Sequence, residues 1–234
     1  TEAGLDNNVV EASAAVDESN KLLFTASANP GEAFRLEADS SFVHVGTVGS
    51  TLPQPARVQV VDQYGNGVSD RIVNFTLEAV NGNIGYLGQP GLTAATRVTD
   101  AEGFAHVSWT IGPRVGSLNN RLSVSSKHNN KNLENSPYVF EASALVGPPH
   151  KLVKITNDTT KELSGIINNT LSEFLRVQVV DEYNNPISNH SVRFEVLSRR
   201  QADGGSLDGK VDSVKVKETN SNGLVYVQFT RSEE

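Results

Sequence analysis

The chain has 234 residues, 37% of them hydrophobic, a formal net charge of −7, and no cysteine or methionine. Without cysteine, a disulfide framework and a thiolate metal site are excluded. The acidic balance argues against nucleic acid as a partner, because phosphate binding depends on lysine and arginine. The length allows one or two domains with a hydrophobic core.

Residues 1–30 carry two stretches that return further along the chain. Asn7-Asn8 returns as Asn119-Asn120, and the stretch 22–28 resembles the stretch 138–144 in its order of apolar and small residues. The later stretches end a complete copy of a longer repeat. Residues 1–30 are therefore predicted to be the C-terminal strands of a preceding immunoglobulin-like module.

The longer repeat has the size of a domain. The stretch 57–68 returns as 176–187, an offset of 176 − 57 = 119 residues. The stretch 99–107 returns as 219–227, an offset of 219 − 99 = 120 residues. A unit of this length is a domain rather than a short solenoid repeat, and tandem domains of this kind more often form scaffolds or bind than catalyse.

Each copy follows a short segment rich in proline and glycine. The first segment is Pro30-Gly31-Glu32 and the second is Gly147-Pro148-Pro149. Such segments are typical of stiff linkers between domains. We therefore expect a complete module at 31–147 and a second module at 148–234 that lacks its last strands.

Both copies alternate apolar and polar residues at every second position, which predicts strands with one buried face. The apolar positions of the first copy are Val58, Val60, Val73, Phe75, Leu77, Ala105, Val107 and Trp109, and those of the second are Val177, Val179, Val192, Phe194, Val196, Val225, Val227 and Phe229. Turns rich in glycine, asparagine and aspartate separate the runs, and no segment holds a helical apolar stripe. The pattern predicts an all-β fold of tandem immunoglobulin-like β-sandwiches.

The single tryptophan is predicted to be a core residue. Trp109 is in phase with Val107 and aligns with Phe229, so it should share their buried face rather than stack on a sugar. The strands on which we expect the core to depend are those of Val58, Val60, Phe75, Leu77, Val107 and Trp109.

Three aspartates are candidates for a functional role. Asp62, Asp100 and Asp181 each follow or precede a strand at a turn rich in glycine or asparagine. One interpretation is that they bind calcium at a module junction, since calcium prefers oxygen ligands. The other is that they accept hydrogen bonds from nearby backbone amides in Asx turns.

Residue patterns for other chemistry are absent from the sequence. The five histidines are scattered and form no zinc-binding motif. No nucleophile elbow, phosphate-binding loop or dinucleotide-binding glycine motif is present. We therefore predict no catalysis, no catalytic or cofactor-binding residue, and no cofactor other than possible calcium.

The stretches 58–68, 73–77 and 99–109 together resemble the bacterial immunoglobulin-like domain group 1 found in invasin and intimin. The likeness lies in an Asp-x-x-Gly-Asn turn after a strand, a Val-x-Phe strand, and a Thr-Asp-x-x-Gly-x-Ala turn and strand. It implies a structural and adhesive stalk of an exported protein at the bacterial cell surface, anchored in the outer membrane through regions not in this chain. Its partners would be neighbouring modules of the same protein and a host-cell or surface receptor.

Two other functions stay open. The tail at 1–30 could complete the C-terminal module of a neighbouring copy by strand donation, which would make the chain a subunit of a homopolymeric filament or surface layer. A carbohydrate-binding accessory module would need exposed aromatic residues, for which Tyr86 and Tyr138 are the candidates. The loops 82–95 and 199–214 are where specific binding would be expected.

Overall fold

The computed structural model describes residues 2–14, 17–38, 45–155, 166, 169–197, 205–209 and 214–230. The chain divides into two compact units, Thr1–Leu145 and Val146–Glu234, called unit 1 and unit 2 below. Every regular element within the described residues is a β-strand. Those residues accordingly include no helix of the length and apolar character that spanning a membrane requires.

The described residues of unit 1 include thirteen strands. They are β1 (Gly4–Ala14), β2 (Asp17–Ala28), β3 (Arg35–Ala38), β4 (Val45–Thr47), β5 (Ala56–Val61), β6 (Ile72–Glu78), β7 (Tyr86–Leu87), β8 (Ala94–Val98), β9 (Phe104–Val107), β10 (Trp109–Thr110), β11 (Gly116–His128), β12 (Lys131–Asn132) and β13 (Tyr138–Leu145).

Two sheets face each other in unit 1. One has the order β3-β5-β9, and the other has the order β4-β13-β11-β6-β8, with β12 paired to β11. All pairs are antiparallel except β4 with β13, which run parallel with Ser143 opposite Val45. The facing sheets make a β-sandwich with antiparallel pairing throughout most of both layers.

The core of this sandwich consists of the inward positions of the alternating strands. Val58 and Val60 of β5 and Phe75 of β6 are fully buried, and Trp109 is buried with them. Val107 and Leu77 are also buried. The prediction of the core strands is therefore confirmed, because the period of two in the sequence places every second side chain on the inner face.

The loop 82–95 contributes to the core of unit 1. Leu87 of β7 is fully buried and lies opposite Trp109 of β10 in a short antiparallel pair. The backbone N–H of Leu87 donates to the carbonyl of Leu92 at 2.7 Å, which closes the loop on itself. This part of the loop, for which binding was predicted, therefore belongs to the core and pairs with the strand that carries Trp109. Most of its counterpart, 199–214, lies outside the described residues.

In unit 2 the part of the chain that the structure describes includes seven strands. They are β14 (Lys151–Ile155), β15 (Leu175–Val180), β16 (Ser191–Glu195), β17 (Ser206–Leu207), β18 (Val214–Glu218), β19 (Leu224–Val227) and β20 (Phe229–Thr230). The sheets have the orders β14-β15-β19, β16-β18 and β17-β20. They correspond to β3-β5-β9, β6-β8 and β7-β10 of unit 1, so the same sandwich arrangement is repeated and the predicted fold class is confirmed.

The β1–β2 hairpin stands apart from both sheets of the sandwich. It forms a two-stranded sheet of its own, and its apolar side chains are exposed, with Val10 at 64% and Phe24 at 60% relative exposure. An isolated two-stranded sheet has no second layer against which to bury a face. The hairpin therefore presents an apolar surface to solvent.

Replacing Trp109 by alanine is expected to destabilise unit 1 by about 3 to 5 kcal/mol, the usual cost of emptying a buried aromatic position. A denaturant titration followed by circular dichroism measures the change. His106→Ala, on the solvent side of the adjacent strand β9, is the matched control and should alter the free energy of unfolding by less than about 0.5 kcal/mol. Equal midpoints for the two variants would contradict the core assignment.

Candidate functional site

A buried carboxylate organises the turn that follows β5. The Oδ1 atom of Asp62 accepts the backbone N–H of Tyr64 at 2.8 Å and that of Asn66 at 2.9 Å. Its Oδ2 atom accepts the side-chain amide of Asn66 at 2.9 Å and the backbone N–H of Gly31 at 2.8 Å. Both oxygens are thus used, and one of the four donors belongs to the linker that leads into the module.

Unit 2 builds the same arrangement around Asp181. Its Oδ1 atom accepts the backbone N–H groups of Tyr183 at 2.9 Å and Asn185 at 2.8 Å. Its Oδ2 atom accepts the Asn185 side chain at 2.9 Å and the backbone N–H of Gly147 at 3.1 Å. In both units a linker glycine is therefore tied to the first buried aspartate of the module.

The segment before the first module contacts this turn as well. The backbone N–H of Ala3 donates to Oδ1 of Asn66 at 2.9 Å, so Asn66 connects the base of the hairpin to the carboxylate.

The turn itself needs a left-handed residue, supplied by Gly65 with φ 89° in unit 1 and by Asn184 with φ 67° in unit 2. Glycine and asparagine are the residues that adopt this conformation most readily.

The hydrogen bonds decide the charge state of the Asp62 carboxyl. Burial raises its pKa, but the Asn66 side chain and the backbone amides of Gly31, Asn66 and Tyr64 together lower the pKa to about 2 from an ordinary value of 3.8. Burial opposes ionisation of Asp181 in the same way, and the corresponding donors hold the pKa of Asp181 below its ordinary value. Both groups are therefore carboxylates at neutral pH, stabilised by the N–H groups that donate to them.

Asp100 forms a simpler turn. Its Oδ1 atom alone accepts the backbone N–H of Glu102 at 3.1 Å and of Phe104 at 2.8 Å. The corresponding residue in unit 2 is Asn220, whose Oδ1 atom accepts the N–H groups of Asn222 at 2.9 Å and Leu224 at 3.0 Å. An amide oxygen is thus sufficient at this position, whereas the Asp62 position uses two acceptor oxygens and carries aspartate in both units.

The two turns of unit 1 pack against each other. The carbonyl of Glu102 accepts the side-chain amide of Gln59 at 2.7 Å, and the N–H of Val60 donates to the carbonyl of Gly103 at 2.8 Å. A Cβ atom on Gly67 would lie 2.0 Å from the Glu102 carbonyl oxygen. The close approach therefore requires glycine there and fixes both turns at one end of the sandwich.

A buried threonine, which the sequence analysis did not single out, continues the pattern. The Thr99 hydroxyl donates to the carbonyl of Val68 at 2.8 Å and accepts the N–H of Arg71 at 2.9 Å. In unit 2 the Thr219 hydroxyl donates to the carbonyl of Ile187 at 2.6 Å and accepts the N–H of His190 at 3.0 Å. Alignment of the two copies, which places Thr99 on Thr219, was the available signal.

The calcium interpretation concerns Asp62, Asp100 and Asp181. Within the part of the chain that the structure describes, no three histidine, aspartate or glutamate side chains lie close enough together to hold a metal ion. The backbone hydrogen bonds expected of Asx turns are present at all three aspartates. Calcium binding at these residues remains a prediction to be measured.

The tyrosines named for carbohydrate binding lie partly buried. Tyr138 packs against the core and contacts Phe140 edge to face, with ring centroids 4.9 Å apart, and Tyr86 lies in β7. A more exposed aromatic pair occurs in unit 2, where Phe174 and Tyr226 have ring centroids 5.1 Å apart. No local sequence pattern predicts this pair, because its members are 52 residues apart (226 − 174).

No protein-family model and no curated protein matches this chain. Among solved structures, invasin, a bacterial integrin-binding protein, is similar over 86% of this chain and 34% of its own, with 14% identity and a TM-score of 0.37. The adhesin InvE of Yersinia pseudotuberculosis is similar over 84% of this chain and 50% of its own, with 16% identity and a TM-score of 0.37.

A third similar structure is described as a Ca²⁺-stabilised adhesin that helps an Antarctic bacterium reach out and bind ice. It covers 95% of this chain and 47% of its own, with 14% identity and a TM-score of 0.25. The chain thus spans about a third to a half of the length of the solved structures it matches. Likenesses at these TM-scores say nothing about binding or activity.

Asp62→Asn is expected to lower the free energy of unfolding of unit 1 by about 2 kcal/mol, because an amide NH₂ would face the N–H of Gly31 and the amide of Asn66. Asp100→Asn is the matched control and should cost less than about 0.5 kcal/mol, since a single oxygen accepts both of its bonds. Urea titration followed by the fluorescence of Trp109, the only tryptophan, reports unit 1 alone. Equal effects of the two changes would contradict the two-oxygen role.

The stabilisation from Asp62 should depend on pH. Since its folded pKa is lowered from 3.8 to about 2, the carboxylate contributes about 2 kcal/mol above pH 4 to 5, and this is lost as pH falls toward 2. The difference in unfolding free energy between wild type and Asp62→Asn should therefore shrink over that interval. A difference that stays constant from pH 6 to pH 2.5 would rule out the assigned pKa.

We expect the midpoint of thermal unfolding to be the same in millimolar calcium and in excess chelator. Both oxygens of Asp62 and of Asp181 already accept N–H groups, and a cation would have to displace them. Differential scanning calorimetry measures the comparison. If calcium raises the midpoint in wild type but not in Asp62→Asn, Asp62 is a calcium ligand and this expectation is wrong.

Proposed function

We propose that this chain is a structural and adhesive repeat region of an exported bacterial cell-surface protein, built of group 1 bacterial immunoglobulin-like modules and without catalytic activity. The observation that carries the proposal is the repeated tie between linker and module, Gly31 to Asp62 and Gly147 to Asp181. A repeated junction of this kind is useful to a protein that extends by adding modules. The turn motifs shared with that family support the same function.

The strand order of unit 1 suits a load-bearing module. Strand β4 near its start and strand β13 at its end are parallel neighbours, with Ala144 opposite Gly46 and Leu145 opposite Thr47. The N–H of Val48 adds a hydrogen bond to the carbonyl of Leu145 at 2.9 Å. Tension applied through the two ends of the module shears this pair along its length, so its hydrogen bonds resist together rather than one after another.

Tension would also act on the tied linker. A force applied to residues before Gly31 acts on the hydrogen bond between Gly31 and Asp62 before it acts on β3. The reason is that this bond is the first contact of the linker with the buried part of the module. The carboxylate and its donors are charge-assisted partners, which are stronger than neutral hydrogen bonds. The tie therefore protects the first strand of the module from being peeled away.

Single-molecule force spectroscopy on the whole chain, attached at its two ends, tests the mechanical role. We expect a distinct force peak from unit 1 and a lower mean unfolding force in Asp62→Asn, with Asp100→Asn unchanged. The reason is that, of these two aspartates, Asp62 accepts a hydrogen bond from the linker and Asp100 accepts its bonds within its own turn. Extension without a force peak would contradict a load-bearing role.

The cellular part of the proposal has its own test. An antibody raised against this chain should label intact cells of the bacterium that makes it, and protease added outside those cells should remove the signal. A cytoplasmic protein of the same cells serves as the lysis control. Labelling only after lysis would overturn the surface assignment. The receptor for an adhesive role would be another protein or surface outside the cell.

Carbohydrate binding is a second candidate, favoured by one group of residues in unit 2. Phe174 and Tyr226 are partly exposed, and Arg176 and Lys217 lie 5.9 and 5.5 Å from the Phe174 and Tyr226 ring centroids. Aromatic rings beside polar donors are suited to stacking on sugars. Affinity electrophoresis in soluble polysaccharide, with Tyr226→Ala against Tyr183→Ala as the control, would separate this candidate from a purely structural module.

A further inference from the structure

We infer that the outer face of the β14-β15-β19 sheet in unit 2 binds an acidic polysaccharide, one whose sugars carry carboxylates, and that Arg176 recognises the carboxylate. The inference rests on the carbohydrate candidate for this face and adds the charge of the sugar. The site is a concavity of about 330 Å³ lined by Phe174, Arg176, Asn220, Leu224, Val225 and Tyr226. This volume lies at the lower end of the range for small-molecule sites, about 300 to 1,000 Å³.

This face is open to solvent in both copies of the repeat. Strands β11 and β13, whose counterparts are absent from the described part of unit 2, belong to the other sheet of the sandwich in unit 1. On the β3-β5-β9 sheet of unit 1, Arg57 and His106 are exposed although β11 and β13 are present. Arg176 and Tyr226 occupy the corresponding positions in unit 2, so their exposure does not depend on strands that only unit 1 shows.

Two aromatic rings form the apolar part of the site. The ring centroids of Phe174 and Tyr226 are 5.1 Å apart, and the ring planes are inclined at 73°. Phe174 is 37% exposed and Tyr226 is 50% exposed, so both rings can be reached from solvent and can stack on the apolar face of a sugar. Unit 1 has Pro55 and His106 at these positions. The aromatic pair is therefore a feature of unit 2 and not of the repeat.

The arginine of the site is held differently in the two copies. In unit 1 the guanidinium of Arg57 lies over the ring of Phe104, 4.3 Å from its centroid. Leucine replaces that phenylalanine at position 224 of unit 2, and the guanidinium of Arg176 lies 5.9 Å from the centroid of Phe174 instead. The looser contact leaves the planar fork of Arg176 available for a carboxylate, which arginine binds through two parallel hydrogen bonds.

Arg176 also has no carboxylate partner within the described residues. The other cation near the aromatic pair is Lys217, whose Nζ atom lies 5.5 Å from the ring centroid of Tyr226. That ammonium group is already paired with Asp208 at 2.7 Å. The positive charge that the site can offer to a ligand is therefore the charge of Arg176.

Acidic side chains of unit 1 on or beside this face are replaced by neutral ones in unit 2. The replacements are Asp100 by Asn220, Glu102 by Asn222, and Glu37, which lies opposite Gln59, by Val153, which lies opposite Gln178. Unit 2 gains Glu173 and Glu182 where unit 1 has glutamines, but neither of these glutamates lines the concavity. The surroundings of the site are thus less repulsive to an anion in unit 2 than in unit 1.

One of these replacements changes an acceptor into a donor. The Oδ1 atom of Asn220 accepts two backbone N–H groups, as does the Oδ1 atom of Asp100. The second polar atom of the side chain is a carboxylate oxygen in Asp100 and an NH₂ group in Asn220. This NH₂ group donates to no atom within the described part of the chain, and Asn220 is exposed. It can therefore donate to an oxygen of the ligand.

The charges of the two units agree with this difference. Unit 1 has 9 lysine and arginine residues against 15 aspartate and glutamate residues, 9 − 15 = −6, and unit 2 has 11 against 12, 11 − 12 = −1. Most of the formal net charge of −7 therefore belongs to unit 1. An acidic polymer is repelled by the field of unit 1 far more than by that of unit 2.

Calorimetric titration of the full chain with short oligomers of galacturonate, in the presence of a chelator, tests the inference. The same oligomers with their carboxylates converted to methyl esters are the matched neutral ligand. We expect the acidic oligomer to bind about tenfold more tightly, because only the free carboxylate makes a charge-assisted hydrogen bond with Arg176. Its affinity should fall as salt is added, whereas that of the ester should not.

Three variants assign the binding to this face. Arg176→Gln should weaken binding of the acidic oligomer about tenfold and leave binding of the ester unchanged. Arg57→Gln makes the same change at the corresponding position of unit 1 and should have no effect. Tyr226→Ala should weaken binding of both oligomers by the same factor, because stacking does not depend on the carboxylate. Circular dichroism establishes that each variant is folded, and Arg176→Lys, which keeps the charge but not the fork, should give an intermediate affinity.

Four results would overturn the inference, and they are distinguishable. Equal affinity for the acid and the ester would leave a carbohydrate site that does not select acidic sugars. Binding of neither oligomer would also remove the carbohydrate candidate, while the proposed stalk function would stand. Equal losses in Arg176→Gln and Arg57→Gln would assign the binding to net charge. Polyglutamate that binds as tightly as the galacturonate oligomer would show that the site accepts any polyanion.

Discussion

A buried carboxylate with four N–H donors is the interaction on which each module depends. Removing a charge from water is costly unless hydrogen bonds replace the lost hydration. Asp62 meets this requirement with donors from its own turn and one from the incoming linker. The turn, the end of β5 and the linker are therefore fixed by one group, and the same solution recurs at Asp181.

This constraint also explains which residues are exchanged between the two copies and which are kept. Gly65 is replaced by Asn184, because either residue can adopt a left-handed conformation. Asp100 is replaced by Asn220, because one acceptor oxygen is enough there. The Asp62 position keeps aspartate, because an amide has one acceptor oxygen and its NH₂ would oppose two donors.

Much of the sandwich could be predicted from the sequence. The period of two in β5, β6 and β9 identified the inward residues, and the phase of Trp109 placed it in the core, because strand geometry fixes every second side chain on one face. The Asx turns were predictable from Asp followed by glycine and asparagine, since those contacts are local. The repeat itself showed which strands correspond.

The remaining features depend on contacts between distant parts of the chain. The hydrogen bond from Gly31 to Asp62 spans 31 residues, and no local sequence pattern at either residue predicts it. The loop 82–95 looked like a binding loop because it is rich in glycine, yet Leu87 is directed inward by its pairing with Trp109. Exposure of the hairpin face could not be predicted either, because the same alternation is buried in β11–β13.

The two junction turns should differ in how readily their asparagine side chains deamidate. Asn66 precedes Gly67, and an asparagine amide is chemically labile when the next backbone nitrogen can attack it. Asn185 precedes Pro186, whose nitrogen carries no hydrogen, so this route to deamidation is closed in unit 2. Loss of the Asn66 amide would put a second carboxylate where its NH₂ now donates to Asp62, 2.9 Å away. Asn66 at the first junction can therefore deamidate slowly, at a rate reduced by the hydrogen bonds that immobilise its amide, whereas Asn185 at the second junction is protected by Pro186.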